Sequence, residues 1–268
     1  MTADPLGRGP DLDVSLPQSA RVWNYWLGGR DNYLADREVG QAFQEFFPGI
    51  VDLAHDSRAF LARTVRHLAG EVGIRQFLDV GTGLPTRENT HQIAQRVAPS
   101  SRIVYVDNDP LVLAHARALL TGTAEGATDY LDADLHDPES IISQAASTLD
   151  FARPVALTLL QVVGHVADDE QARSVVDRLM AALPSGSYLV FNDSVDTHTV
   201  NALATRRYNE SGATPYFLRS PEQIAAFFDG LELLEPGVVP LAEWRPDPAA
   251  PSDRPHEVIA LGGVARKP

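Results

Sequence analysis

Between Gln76 and Asn192 the chain alternates short apolar runs with longer amphipathic ones, and no other feature limits its fold as strongly. The runs Gln76 to Val80, Arg102 to Asp107, Thr128 to Leu131, Val155 to Val162 and Tyr188 to Asn192 read as strands. The stretches between them, Arg87 to Val97, Pro110 to Leu120, Pro138 to Leu149 and Asp168 to Leu183, read as helices. Short near-continuous apolar strands separated by helices imply βαβ units, a parallel sheet covered on both faces and right-handed crossovers. Pro110 and Pro138 each follow an Asp, the order of a helix N-cap and first turn.

The flanks read differently. Met1 to Pro17 is rich in Asp, Gly and Pro and is expected to be a flexible lead-in. Residues 18–73 are expected to form a helical segment, with Phe43, Phe46 and Phe47 on one face and Leu53, Phe60, Leu61, Val65 and Leu68 on the next. Pro48-Gly49 divides the two and Gly73 ends them. Residues 74–268 then make the main domain. Toward the C-terminus, Val200 to Tyr208 and Pro221 to Phe228 read as helices, and Leu231 to Leu234, Val238 to Glu243 and His256 to Val264 as strands. The last two strands are joined by a Pro- and Asp-rich loop with no crossover helix, so they are expected to be antiparallel.

The first strand runs into Asp79-Val80-Gly81-Thr82-Gly83, a Gly-x-Gly turn ahead of a helix. Glycine there allows a tight turn and lets a ligand approach the backbone, though the same turn sometimes serves strand–helix packing alone. The second strand ends in Asp107, 24 residues beyond Gly83. An acid at that point can accept hydrogen bonds from both hydroxyls of a ribose. Alternatively Asp107 belongs to the Asp107-Asn108-Asp109-Pro110 turn, although Asp109 suits the helix cap better and leaves Asp107 free. A dinucleotide fingerprint would need glycine where Thr86 stands, and the Gly-Lys-Ser/Thr phosphate loop is missing. Asp79, Asp107, Asp109, Asp132 and Asp134 gather at the predicted strand ends. That field opposes a pyrophosphate and favours a nucleoside carrying a sulfonium and an ammonium.

On these residues the chain resembles the class I S-adenosylmethionine-dependent methyltransferases, and more narrowly an actinobacterial S-adenosyl methyltransferase family once classed as a domain of unknown function. The matching stretches are Ser19 to Tyr33, with its Leu27-Gly28-Gly29-Arg30-Asp31-Asn32 core, Phe77 to Asn89, Ile103 to Leu120 and Gly262 to Arg266. The resemblance implies a Rossmann-like, seven-stranded, mostly parallel α/β sheet in the order 3-2-1-4-5-7-6 with strand 7 antiparallel. It implies S-adenosyl-L-methionine as cofactor. It places Asp79, Gly81, Thr82 and Gly83 near the methionine end, Asp107 on the ribose, Asn108 beside the adenine, and Asp134 with Leu135 at the adenine edge. Gln161 falls where such enzymes contact cofactor or acceptor. Asp134 otherwise reads as a turn residue before Pro138, and Gln161 as a core amide.

Trp23, Tyr25, Trp26 and Tyr33 crowd into 11 residues around Gly28-Gly29. They read as a lid, with Arg30, Asn32 and Tyr33 reaching the cofactor from a glycine hinge, or else as helices covering the sheet. Arg58 can fork onto the cofactor carboxylate, or else lie on a solvated helix face. His165, just past strand four, is the best-placed general base, ahead of His198 and Tyr208, although a lone histidine is often structural. His91 and His136 lack a metal-ligand spacing, so no metal is expected.

Composition narrows the partners. The 268 residues carry a formal charge of −14, from 36 acidic and 22 basic side chains, and the basic pairs are limited to Arg206-Arg207 and Arg266-Lys267. A nucleic-acid acceptor is not expected from such a chain. No apolar run reaches the ~20 residues of a membrane helix, and there is no cysteine. The expectation is a cytoplasmic methyltransferase acting on a small-molecule acceptor, its oligomeric state open. A protein that binds the cofactor without transferring the methyl group and a NAD-dependent oxidoreductase are the alternatives.

Overall fold

A computed structural model describes residues 13–85, 88–119, 122–246 and 259–268. The expected lead-in up to residue 12, Thr86 and Arg87, the end of the Pro110 helix at Leu120, and most of the Pro-rich loop lie outside them. Three helices come first: α1 (Ser19–Trp26), α2 (Leu34–Phe46) and α3 (Gly49–His67). A π-turn at Leu68–Val72 closes α3, and Gly73 at φ +87° ends it. The alternating part follows as β1 (Gln76–Val80), α4 (Thr90–Val97), β2 (Arg102–Asp107), α5 (Pro110–Leu119), β3 (Ala127–Asp132), α6 (Pro138–Ala145), β4 (Ala156–Leu160), α7 (Asp169–Ala181) and β5 (Tyr188–Ser194). The chain finishes with α8 (Thr199–Asn209), α9 (Pro221–Ala225), β6 (Glu232–Leu233), β7 (Val239–Pro240) and β8 (Ala260–Arg266).

The strands form one sheet in the order β3-β2-β1-β4-β5-β8-β6, with β7 also on β8. β1 to β5 are parallel. The last strand slots between β5 and β6 and runs antiparallel to both, with Tyr188 opposite Arg266 and Glu232 opposite Arg266 on the other side. This is the expected topology, with the strand-6 position split into β6 and β7.

Alternate residues of each central strand feed two cores. Phe77, Ile103, Tyr105, Ala156 and Val190 join α1, α2, α3 and α4 on one face. Leu78, Val104, Leu157, Leu159 and Phe191 join α6, α7 and α9 on the other. A strand buried on both faces has no polar side to alternate with, which is why these runs read as continuously apolar. The N-terminal helices share the first core with the sheet, so they form one of its layers.

Several boundaries differ from expectation. The Val155 to Val162 run stops pairing at Leu160 because Gln161 turns to a left-handed φ of +55°. The expected strand Val238 to Glu243 is a two-residue bridge followed by a 3₁₀ turn at Leu241–Glu243. Pro240 has no N–H to extend the ladder. α4 begins at Thr90, where Asn89 and Gln92 form a capping box. Asp137 caps α6 through Ser140 N, as its Asp-Pro pair indicates.

Candidate active site

A cavity of about 280 Å³ opens above the C-terminal ends of β1, β2 and β4, where parallel sheets place ligands. Its floor is the β1 turn. Gly81 and Gly83 sit at φ +71° and +66°, a region that disfavours side chains. They do different work. A Cβ on Gly81 would lie 2.2 Å from Val162, so that glycine permits the β4 loop to close on the turn, whereas a Cβ on Gly83 would meet nothing within 4 Å. Gly81 is thus a packing glycine, which the ligand-approach argument alone does not capture.

Asp79 is buried at the inner end, its carboxylate accepting from Thr90 Oγ1 at 2.7 Å and Thr158 Oγ1 at 2.8 Å. Burial raises its pKa, while both hydroxyls and the Arg58 charge oppose the rise. Arg58, on α3, lines the same cavity. Burial lowers its pKa and the Asp79 charge opposes this. A carboxylate and a guanidinium therefore stand together at one end, complementary to the ammonium and carboxylate of an amino acid.

Asp107 faces the cavity from the end of β2. One of its oxygens accepts from Gly83 N at 2.8 Å and the other from Asp109 N at 3.0 Å, so it is anchored at both oxygens rather than free. Each oxygen keeps a further lone pair for a ligand. Burial raises this carboxyl to about 6 against those two hydrogen bonds. Asn108, Asp134 and Leu135 line the wall beyond it. Asp134 is exposed and accepts from His136 N at 2.8 Å.

The acidic cluster is smaller than the sequence indicates. Asp132 does not line the cavity. Asp109 caps α5 through Leu111 N at 2.8 Å, and both its oxygens receive Arg21 at 3.2 Å in a buried ion pair. The cavity is lined by Asp79, Asp107 and Asp134, by Asp109 with its charge met by Arg21, and by Arg58.

The glycine-hinge segment departs furthest from expectation. Arg30 is exposed and, like Asn32 and Tyr33, lies outside the cavity lining. Asn32 is buried because its amide donates to Asn24 Oδ1 at 2.8 Å and to Gly29 O at 3.1 Å, while Arg37 donates to its oxygen at 2.7 Å. Tyr33 precedes α2, with Arg21 over its ring at 5.5 Å. These residues hold the α1–α2 corner. The cavity wall is made instead by α1 itself, through Ser19, Ala20, Trp23, Asn24 and Leu27. Trp26 packs on Phe43 and donates to Gly40 O at 3.0 Å.

Gln161 and His165 stand where the cavity meets a second chamber of about 60 Å³. His165 Nδ1 is 2.8 Å from Pro215 O, and a carbonyl only accepts, so Nδ1 carries the proton and Nε2 keeps its lone pair. Burial lowers the His165 pKa below its usual value, with the Pro215 contact opposing, so the ring is neutral at pH 7. Gln161 Oε1 accepts from Ser194 Oγ at 2.8 Å and stands 2.8 Å from Tyr216 Oη, whose one proton goes to the Asp193 carboxylate. His198 and Tyr208, the weaker base candidates, lie outside the larger cavity. Tyr216 and Asn201 line the smaller chamber although no local motif marks them, since each is brought in by packing from a distant element, whereas Trp23 and Asn24 fall in the aromatic-rich stretch before Gly28-Gly29.

The surroundings of this geometry are shared. A profile of the S-adenosyl methyltransferase family matches residues 7–268. The chain is similar to a DUF574 family protein from Streptomyces avermitilis, at 44% identity over 96% of this chain and 99% of that one, with a TM-score of 0.91. It is also similar to a candidate methyltransferase from Thermobifida fusca, at 41% identity over 96% and 97% of the two chains, with a TM-score of 0.88. Among curated proteins none matches.

Proposed function

Because this chain belongs to the S-adenosyl methyltransferase family and is an S-adenosylmethionine-dependent methyltransferase, we propose that it methylates a small-molecule acceptor, with His165 as the general base. The observation carrying this reading is the tautomer of His165, fixed by Pro215 O with the lone pair left on Nε2, on a residue that lines both cavities.

The residues fit the cofactor. Arg58 and Asp79 would hold the carboxylate and ammonium of its methionine part, with Gly81, Thr82 and Gly83 beside them, and Asp107 would accept from the ribose hydroxyls. Asn108, Asp134 and Leu135 would meet the adenine. When bound, the sulfonium supplies an electrophilic methyl group whose transfer leaves a neutral thioether. With the cofactor bound, His165 Nε2 would take the proton of the acceptor hydroxyl and later return it to water. Trp23 of α1 lines both cavities and helps to keep solvent out, and positioning supplies much of the remaining rate.

A small acceptor agrees with a site recessed behind α1, and the charge of −14 disfavours a nucleic acid. Among the described residues no helix is long and apolar enough to cross a membrane. An acidic, cysteine-free chain suits a reaction in the cytoplasm.

The test is formation of S-adenosylhomocysteine on incubation with S-adenosylmethionine and candidate acceptors. His165→Ala should lower kcat by about 10²–10⁴-fold while cofactor affinity stays within threefold. Unchanged turnover in that variant excludes His165 as the base.

A further inference from the structure

The second chamber holds the most specific unassigned chemistry in the molecule. It lies between α1, α2, α3 and α8, and shares Ser19, Trp23, Gln161 and His165 with the lining of the larger cavity. Trp23, Trp26, Phe43, Tyr208 and Tyr216 give it aromatic walls, closed by Ile50, Leu53 and Leu218. Its volume of about 60 Å³ equals roughly four to six water-sized positions, the room of a single ring.

Two buried amides on this wall have an end without a partner. Gln161 is 9% exposed and Asn201 2%. Gln161 Nε2 and Asn201 Nδ2 have no hydrogen bond from protein atoms. The Ser194 hydroxyl donates to the oxygen of Gln161, which leaves its nitrogen as the open end. A buried donor left unpaired is costly, so such groups normally meet an acceptor. Gln161 also holds a left-handed backbone at φ +55° that few non-glycine residues adopt. Its position is secured by Tyr216, whose ring lies over Gly164 so closely that a Cβ there would stand 2.2 Å from it. Tyr216 in turn contacts the fully buried carboxylate of Asp193, which pairs with Arg219 at 3.3 Å.

Among the described residues the chamber lining contains no Asp, Glu, Lys or Arg, and its histidine is neutral at pH 7. An ammonium or a carboxylate would enter without a counter-ion, which a desolvated site strongly disfavours. We propose that this chamber seats the methyl acceptor, and that the acceptor is an uncharged, ring-sized apolar molecule whose hydroxyl oxygen receives hydrogen bonds from Gln161 and Asn201. Aromatic walls select the ring, the two amide nitrogens select oxygen, and His165, which lines both cavities, takes the hydroxyl proton. This rests on the cofactor occupying the larger cavity.

The full chain, saturated with S-adenosylhomocysteine, tests the proposal by ligand-observed NMR with 4-methylphenol, 4-hydroxyacetophenone, benzylamine and benzoate. Saturable binding of at least one neutral phenol is expected, at least tenfold tighter than either charged probe. Asn201→Leu and Gln161→Leu should each weaken that binding tenfold or more. Asn201→Leu should leave S-adenosylhomocysteine affinity unchanged, because Asn201 lines only the smaller chamber. Equal or tighter binding of the charged probes, undiminished phenol binding in both variants, or no phenol binding by the S-adenosylhomocysteine complex would overturn the assignment of the chamber. Failure of S-adenosylhomocysteine itself to bind would instead remove the cofactor premise.

Discussion

At the scale of single residues, the β1 turn and Asp107 act as one device, because Gly83 N donates to Asp107 at 2.8 Å. The carboxyl ionises near pH 6 in the ligand-free fold and near 3.8 in the unfolded chain. Between those values the fold holds a proton that the unfolded chain has released, so this residue's contribution to stability falls as pH rises through the window. Binding has the opposite dependence, because a ribose hydroxyl donates to the ionised form. Affinity for S-adenosylhomocysteine should therefore drop as pH falls below about 6. Asp107→Asn should remove that pH step and weaken binding at pH 7.5 by about tenfold to a hundredfold, as loss of charge-assisted hydrogen bonds requires. The two glycines should respond unequally. Gly83→Ala should cost only the backbone strain of about 1–2 kcal/mol, whereas Gly81→Ala adds a clash with Val162 and should cost about 2–4 kcal/mol, read by urea unfolding.

At the scale of elements, α1 is both a cavity wall and a part held from outside the cavity. Arg21 on α1 and Asp109 at the head of α5 form a buried pair, 2% and 6% exposed, that ties the wall to the sheet. Arg21→Met strands a buried carboxylate and should cost about 3–5 kcal/mol. It should also raise hydrogen exchange across Ser19–Trp26 more than across β1; a uniform rise would show that α1 is not latched there. The same helix shows what a sequence reveals and what it hides. Strands β1 and β2 are legible to their end residues because burial on both faces leaves an unbroken apolar run. The Asp-Pro cap of α6 is legible because the cap is local. The Arg30 to Tyr33 segment looks like a ligand arm, with polar side chains after two glycines. Only the fold reveals that Asn24 and Arg37 absorb Asn32.

At the scale of the whole molecule, topology decides where chemistry can occur. β8 returns antiparallel between β5 and β6, and Lys267 beyond it donates to Met180 O at 2.8 Å and Leu183 O at 2.6 Å behind α7. That return completes the sheet on the side away from β1 and leaves the cavity at the C-terminal ends of β1, β2 and β4. The lining contributed by β1, its turn and the end of β2 is legible because these are contiguous motifs. Gln161 is legible from its place after β4, whereas Asn201 and Tyr216 are not, because they reach the smaller chamber only after α8 and the following loop fold back over β4. A carboxylate-rich turn with one guanidinium should accept an amino-acid nucleoside and refuse a diphosphate. Calorimetric titration of the intact protein with S-adenosylhomocysteine, and separately with NAD⁺, measures this directly. One-to-one binding of S-adenosylhomocysteine, weakened by Asp107→Asn, and no heat with NAD⁺ is the predicted result. Saturable NAD⁺ binding without S-adenosylhomocysteine binding, or full affinity in Asp107→Asn, would contradict it.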